Sequence, residues 1–410
     1  MKYDIPYIQL DAEISFLAGS ISWTCPGLRL CDRPPEGRYL IILPVRDYGR
    51  MHAPPEQSLL NALSSDQKED IRRGKALLIL DHSNEGPQFN KIIYDIFHAE
   101  LSTHGVDRGR VVYVGQNRFM GVDYNECYGP GIGFWNYDYF PKAMALWFDV
   151  KSGPTVFGPN DNVLSNYTPL QSEEAPKFLS FNAAARWHRL LLFRWLQLRG
   201  LYESGIISFH GVNALNPKSH EIIVSEPPGG VKEVFPDLIA DIDAWMPEKP
   251  IHVGPGQSTG NDLIMTVDRT AYDQSVLSIL TESDFFEPSI QRITEKSIKA
   301  AAMGVPFIVL GPPNSVAALR ELGFCSFSGL IDHSYDLIQD PVARLKKAFD
   351  VISSTWERIK ANPEAWREAA RPEGAFNFSH ARLNHLRRFD QLNSYPILAR
   401  MAHFIEDGLG

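Results

Sequence analysis

Thr294-Glu295-Lys296 is the stretch of this sequence whose residue types and spacing could do chemistry. It stands between two short apolar runs, Val276–Leu280 and Val305–Leu310, and the first run ends in the polar group Thr281-Glu282-Ser283. Thr294 is a good helix N-cap, because its hydroxyl can accept a free backbone N–H. Glu295 then suits the positive end of the helix dipole and Lys296 does not. A lysine in the first turn makes sense if an anion shares that end, since free N–H groups and an ammonium together hold phosphate well. The bland account is a lysine that snorkels into solvent at a cost of about 0.3–1 kcal/mol.

The elements that must position these residues follow from periodicity. The two apolar runs read as buried strands. Ile298, Ala301 and Ala302 give the intervening helix one apolar face, and Gly304 is a good terminator. Strand, helix and strand at this spacing make a βαβ unit of a parallel sheet. A second such unit is expected earlier. Ala76–Leu80 is a buried strand, a helix over 90–103 carries Ile92, Ile93, Ile96, Phe97 and Leu101 on its apolar side, and Arg110–Val114 is the next strand. Both are followed by polar turns, 81–86 and 115–118, where open α/β sheets bind ligands. A third pattern begins at Lys177–Phe181, followed by the turn Asn182–Arg189, the helix Leu190–Leu201 and the strand Ile206–Phe209.

The remaining segments read more plainly. Residues 1–70 hold short strands at Tyr7–Leu10 and Tyr39–Pro44 and look like an N-terminal elaboration. The glycine- and aromatic-rich stretch Tyr124–Tyr139 reads as a loop, either offering stacking surfaces for sugar rings or packed on its own aromatics. Residues 150–176 are the linker candidate. Asp241-Ile-Asp243 reads as helix surface rather than a metal motif, and Gly254-Pro-Gly256 is no dinucleotide fingerprint. Helices are expected over 315–322, 341–360, 362–370 and 380–407, the last interrupted at Pro396.

Composition bounds the function. The chain has 410 residues, 44% hydrophobic and 22% charged, an ordinary globular balance that suits two large domains. Its 40 basic and 49 acidic residues argue against a general nucleic-acid surface. Four cysteines, at 25, 31, 127 and 325, show no zinc spacing and read as free thiols of a reducing compartment. No apolar run approaches the roughly 20 residues of a membrane span. The expected location is cytoplasmic, with contact to the inner face of a membrane left open.

One resemblance joins these pieces. Glu282-Ser283, then Ile293-Thr294-Glu295-Lys296-Ser297-Ile298-Lys299-Ala300, Gly304-Val305-Pro306 and Leu310-Gly311-Pro312, resembles the donor-binding segment of family 10 glycosyltransferases, the α-1,3/4-fucosyltransferases. Bacterial polysaccharide-building transferases carry a similar segment. In them Gly-Phe-x-x-Phe and Asp-x-x-Tyr-Asp follow, as Gly323-Phe324-Cys325-Ser326-Phe327 and Asp332-His333-Ser334-Tyr335-Asp336 do here. The likeness covers about 177–345; residues before it match nothing in that family.

The resemblance implies an α/β chain of two Rossmann-like domains facing a cleft (GT-B type), with a C-terminal helix returning to the first domain. The corresponding boundaries are 1–170 for an acceptor-side domain, 171–385 for a donor-binding domain and 386–410 for the returning helix. The implied activity is sugar transfer from a nucleotide-diphosphate sugar, GDP-fucose by the nearest motif, to a glycan, polysaccharide or lipid-linked glycan, as in lipopolysaccharide synthesis. Glu295 would take the donor ribose and Lys296 the diphosphate, with Asn182 and Arg186 at the second phosphate-facing turn. Arg189 joins them, the bland account of both arginines is a solvated helix face, and Glu282 contacts the sugar or is structural. GT-B enzymes generally need no bound metal, since cations and helix N-termini stabilise the leaving diphosphate, and no cofactor is expected. An inverting transfer needs a general base. The candidates are Glu85 first, at a loop apex, then Asp81 and His82. Two alternatives remain open: a catalytically silent nucleotide- or glycan-binding module, and a nucleotide-sugar epimerase.

Overall fold

The structure is a computed structural model that describes residues 3–10, 15–45, 51, 57–149, 167, 170, 175–182, 185–209, 227–240 and 267–408. It divides into two compact units. Unit 1 is Met1–Ala143, Ser289–Arg292 and Arg387–Gly410, and unit 2 is Met144–Pro288 and Ile293–Leu386. Each is an α/β unit built on a parallel sheet.

Unit 1 carries strands β1 (Ile5–Gln9), β2 (Leu28–Leu30), β3 (Tyr39–Pro44), β4 (Ala76–His82), β5 (Val111–Gly115) and β6 (Gly133–Asn136), in the order β2-β1-β3-β4-β5-β6. Every pairing is parallel. Strands of such a sheet are covered on both faces and read as unbroken apolar runs; Ala76 to Leu80 are all fully buried. The N-terminal residues are therefore more than an elaboration, since they supply β1, β2 and β3.

Its helices include α1 (Phe16–Ser22), α2 (Ser65–Arg72), α3 (Lys91–Thr103) and α4 (Met120–Tyr128), and α5 (Tyr139–Phe148) begins in it. Lys142 of α5, fully buried, bridges the Thr24 hydroxyl and the Asp390 carboxylate. The buried face of α3 is Ile93, Tyr94, Phe97 and Leu101, whereas Ile92 and Ile96 are exposed. Helical geometry allows only one stripe to face the sheet, and Tyr94 takes the place expected of the two isoleucines. The glycine- and aromatic-rich stretch is not a loop of free rings. It forms α4 and β6, and Tyr124 is fully buried among Tyr94, Tyr128 and Phe134. The C-terminal helix, Tyr395–Asp407, belongs to unit 1, where the Arg38 guanidinium donates to the carbonyls of Ile405 (3.4 Å) and Glu406 (2.9 Å).

Unit 2 carries β7 (Lys177–Asn182), β8 (Gly205–Phe209), β9 (Ser275–Thr281) and β10 (Phe307–Leu310), all parallel in the order β10-β9-β7-β8. Helix α6 (Trp187–Leu198) follows β7 and α7 (Glu295–Met303) links β9 to β10. Beyond these lie α8 (Ser315–Glu321), α9 (Pro341–Ala361) and α10 (Pro363–Leu383). The sequence suggests that α10 ends near Ala370, yet it runs through Pro372 to Leu383. An interior proline costs about 3 kcal/mol. The buried residues Trp366, Ala370, Gly374, Phe378 and Ala381 continue on both sides of it, and their burial carries the helix across. Residues 241–266, with the Asp241/Asp243 and Gly254/Gly256 spellings, and most of 150–176 lie outside the described residues.

Helix α7 departs from the single apolar face expected of it. Its residues Glu295, Ser297 and Ile298 to Met303 are all buried. The alanine run lets a neighbouring helix come very close. Gly304, left-handed at φ 72°, ends α7 against Gly374 of α10, and Tyr167 donates its hydroxyl to the Gly304 carbonyl at 3.1 Å. A Cβ on Gly374 would be driven into the Tyr167 hydroxyl and the Gly304 carbonyl oxygen. Gly374→Ala gains up to about 1 kcal/mol of helix propensity, but overpacking against backbone costs about 1–3 kcal/mol. The expected result is a lower Tm in calorimetry; an unchanged or raised Tm would show that the contact yields freely.

Candidate functional site

The geometry of unit 2 concentrates polar groups at one place. From β7 the chain crosses to β8 on one side, and from β9 it crosses to β10 on the other. Parallel crossovers share one hand, so α6 and α7 fall on opposite faces of the sheet, and β7 and β9 flank a topological switch point. Both helices begin at the C-terminal ends of these strands. Asn182 and Thr281, the last residues of β7 and β9, meet there, the Thr281 hydroxyl donating to Asn182 Oδ1 at 2.6 Å.

Glu282 is the hub. Its side chain is buried, at 1% exposure, and its carboxylate accepts from the Thr294 N–H (3.2 Å), the Thr294 hydroxyl (2.6 Å) and the Ser297 hydroxyl. It thereby closes the N-terminus of α7, where a negative charge is favoured. Thr294 is the N-cap, accepting from the Lys296 N–H. The Glu282 backbone carbonyl accepts from His188 Nε2 at 2.9 Å and from Arg189 Nη2 at 3.2 Å. Arg189 also donates to the Thr281 hydroxyl (3.1 Å) and carbonyl (3.2 Å). Burial, with Arg186 close by, pushes the Arg189 guanidinium down to about 10. Burial and the two arginines drive His188 well below its usual value, so it is neutral, carries its proton on Nε2 and stacks on Phe285 at 5.2 Å.

The candidates of this unit thus fall into two groups. Asn182, Arg189, Glu282 and Thr294 are buried and occupied with one another or with the strand ends. Arg186 is exposed at the N-cap of α6, Lys296 keeps 22% of its side chain accessible, and Glu295 keeps 10%. Lys296 Nζ pairs with Glu295 Oε1 at 2.7 Å and donates to the Thr294 hydroxyl at 3.3 Å. Burial works against the Glu295 charge, but Lys296 and Lys299 hold its carboxyl below the usual range.

Three contributors were not singled out from the sequence. Lys299 is buried one turn after Glu295, and burial pushes it down to about 8, with Glu295 holding it up. Its spacing of four from Glu295 was the available signal. Ser297 was readable only once Glu282 was known to face it. Arg344 of α9, 1% exposed, donates to the carbonyls of Gly311 (3.1 Å), Phe285 (2.6 Å), Ile338 (2.7 Å) and Gln339 (3.0 Å), fixing the turns after β9 and β10. Nothing in the spacing of α9 distinguishes it from a surface arginine.

The three candidates of unit 1 lie at the end of β4 but differ in access. Asp81 is buried, and its carboxylate accepts from the Ser15 hydroxyl (2.6 Å), the Leu17 N–H (3.0 Å) and the Ser83 N–H (3.1 Å), which holds the start of α1. His82 is buried with Nδ1 at 2.7 Å from the Tyr113 hydroxyl. Glu85 is exposed and pairs with Arg292 at 3.0 Å. Among the described residues no cluster of three or more His, Cys, Asp or Glu has the arrangement of a metal site. Nor is any described helix long and apolar enough to cross a membrane.

No protein-family model matches the chain, and no curated protein is similar to it in sequence. Two of the solved structures similar to it at low level are trehalose-phosphate synthases. One is α,α-trehalose 6-phosphate synthase from Burkholderia multivorans, 10% identical, with a TM-score of 0.42 over 100% of both chains. The other is an α,α-trehalose-phosphate synthase (UDP-forming) from Burkholderia vietnamiensis, 10% identical, with a TM-score of 0.40 over 98% of this chain and 99% of that one.

The Asp-x-x-Tyr-Asp motif has a structural task. Asp336 accepts from the Val316 (3.0 Å) and Ala317 (3.4 Å) N–H groups at the start of α8, and the Val309 N–H donates to the Tyr335 hydroxyl at 2.9 Å. Burial outweighs these bonds and pushes the Asp336 carboxyl from 3.8 up to about 6. Between those values the folded protein holds more protons at this group than the unfolded chain does. Its contribution to stability therefore grows as pH falls through about 6 and is lost as pH rises through it. Relative to Asp336→Asn, the native protein should gain about 2–3 kcal/mol between pH 6.5 and pH 4. Parallel urea titrations of the two proteins measure it, and a pH-independent difference would refute the assignment.

Proposed function

We propose that the chain is a GT-B glycosyltransferase whose unit 2 holds the diphosphate of a nucleotide-sugar donor at the β7/β9 switch point. One observation carries this reading: the N-terminus of α6, which no side chain caps, and the accessible cations Arg186 and Lys296 stand at the ends of adjacent parallel strands. Free N–H groups and cations at such a place favour a diphosphate. They would also stabilise the negative charge that develops on it as the sugar departs, without a metal or a cofactor being required.

Roles then divide by access. Lys296 and Arg186 contact the diphosphate, and Glu295 takes the ribose hydroxyls. Asn182, Thr281, Glu282, Thr294 and Arg189 hold these elements in place rather than touching the donor. Lys296 exchanges its bond to Glu295 for the phosphate and frees that carboxylate for the ribose. Glu85 is the base for an inverting transfer, because it alone of the three unit 1 candidates is exposed. GDP-fucose is the donor implied by the Thr294-Glu295-Lys296 resemblance, and a glycan or lipid-linked glycan is the acceptor.

Calorimetric titration with GDP, UDP, dTDP, CMP and their sugars tests the reading. One nucleoside diphosphate should bind, and Lys296→Ala and Arg186→Gln should each weaken it about tenfold, the worth of one charge-assisted contact. Binding by none of them, or affinity unmoved by both substitutions, would sink the diphosphate site. Release of the nucleotide from its sugar by the native protein separates an enzyme from a silent binding module. Return of an isomerised nucleotide sugar would instead identify an epimerase.

A further inference from the structure

Glu295, given the ribose hydroxyls above, is a carboxylate in a place hostile to charge. It is 8% exposed, and burial, the largest influence on it, pushes its carboxyl up. Two lysines of its own helix, Lys296 and then Lys299, nonetheless hold it below the usual carboxylate range. The two differ in access. Lys296 keeps 22% of its side chain accessible and bonds Glu295 Oε1 at 2.7 Å. Lys299 is 8% exposed and follows Glu295 by four residues, the spacing that sets a glutamate beside a lysine one helical turn further on.

Groups from other elements also meet the Glu295 charge. Arg189 of α6 is one, but its guanidinium donates to the Thr281 hydroxyl and to the carbonyls of Thr281 and Glu282. Tyr272, in the short helix Arg269–Asp273, is another, and burial first, with Asp268 and Glu295 behind it, keeps its phenol un-ionised. Helix α10, packed along α7, brings Arg382 to the Ala302 carbonyl (3.5 Å), at the far end of α7. Burial pushes the Lys299 ammonium down to about 8, while Glu295 holds it up and Lys296 opposes it, so Lys299 is still largely charged at neutral pH.

On the donor reading above, on which this depends, we infer that Lys299 is a positioning residue for the ribose: it keeps Glu295 an oriented carboxylate once Lys296 has turned to the diphosphate. Accepting from two ribose hydroxyls asks for both carboxylate oxygens, and a protonated carboxyl gives up part of that capacity. When Lys296 leaves, burial and the arriving phosphate charge both push Glu295 towards its neutral form. Lys299 is buried and stays beside the carboxylate. The phosphate also neutralises Lys296, the cation that opposes the Lys299 charge. One lysine thus meets the donor, and the other serves the acid that the first leaves behind.

Calorimetric titration with GDP and UDP, each beside its 2′-deoxy form, tests this. The native protein should favour the ribose form of the nucleotide it binds by about tenfold, the worth of a hydrogen bond to a charged group, throughout about pH 5.5 to 7.5. In Lys299→Met the preference should fall to about threefold or less at about pH 6 and return as pH rises, because a carboxyl raised by burial ionises only at higher pH. Lys299→Arg should keep the native profile. Glu295→Gln should lose the preference at every pH. Glu295→Gln with Lys299→Met removes the buried pair together and should lose no more; a further loss there means that Lys299 acts by another route and overturns the inference. A lysine that only supports the helix would weaken both forms of the nucleotide equally, so an unchanged ratio in Lys299→Met also overturns it. Failure of the diphosphate site itself looks different: neither GDP nor UDP binds, or Lys296→Ala leaves their affinity unmoved, and the ribose role falls with it.

Discussion

A buried carboxylate must be satisfied, and that constraint organises unit 2. Glu282 sits at the end of β9 with 1% exposure. Leaving its charge without partners would cost several kcal/mol. Thr294 and Ser297 supply them, which fixes where α7 begins, and its own carbonyl takes His188 and Arg189, which fixes where α6 begins. One residue thereby couples the two helix starts that flank the switch point. The accessible cations, Arg186 and Lys296, stand at the two helix starts that this arrangement holds, and Lys296 is held further by Glu295 and the Thr294 hydroxyl. Precision at an exposed site follows from satisfaction at a buried one.

Unit 1 solves the same problem with the opposite consequence for chemistry. Asp81 ends β4 as Glu282 follows β9, and it too is consumed in holding a helix start. The carboxylate that remains accessible, Glu85, lies four residues further on and leans on Arg292. Strand-end acids of parallel sheets serve equally as caps and as catalysts. Exposure, not position along the strand, separates Glu85 from Asp81 in this chain.

Much of this was legible in the sequence where a single local rule decides the outcome. Tyr39–Pro44 and Ala76–Leu80 are apolar on both faces because both faces are covered, and they are strands. Thr294 and Gly304 bracket α7 as cap and terminator, since each is suited to the backbone geometry required there. What was not legible depends on distant partners. Ile92 and Ile96 lost the buried face to Tyr94 because the sheet beneath selects the stripe. Whether Tyr124 and Phe134 are free stacking rings or pack on their neighbours is decided only by how α4 and β6 come together. Pro372 looks like a helix end unless the burial beyond it is known. Arg189 reads as a donor contact or a solvated cation and Arg344 has no signal of its own, because the carbonyls they satisfy lie tens of residues away.

The Lys142–Asp390 bridge has a consequence for how the protein is made. Its two ends are separated by most of unit 2 in the chain, although both belong to unit 1. A chain emerging from the ribosome presents Lys142 long before Asp390, at roughly 5–20 residues per second. Through that interval the N-terminal unit has an ammonium destined for an apolar interior and no counter-charge to accompany it. The sheet of unit 1 can assemble early, but its last core position closes only after the other unit has been synthesised. The buried ammonium of Lys142 thus has its counter-charge only once residue 390 has been made.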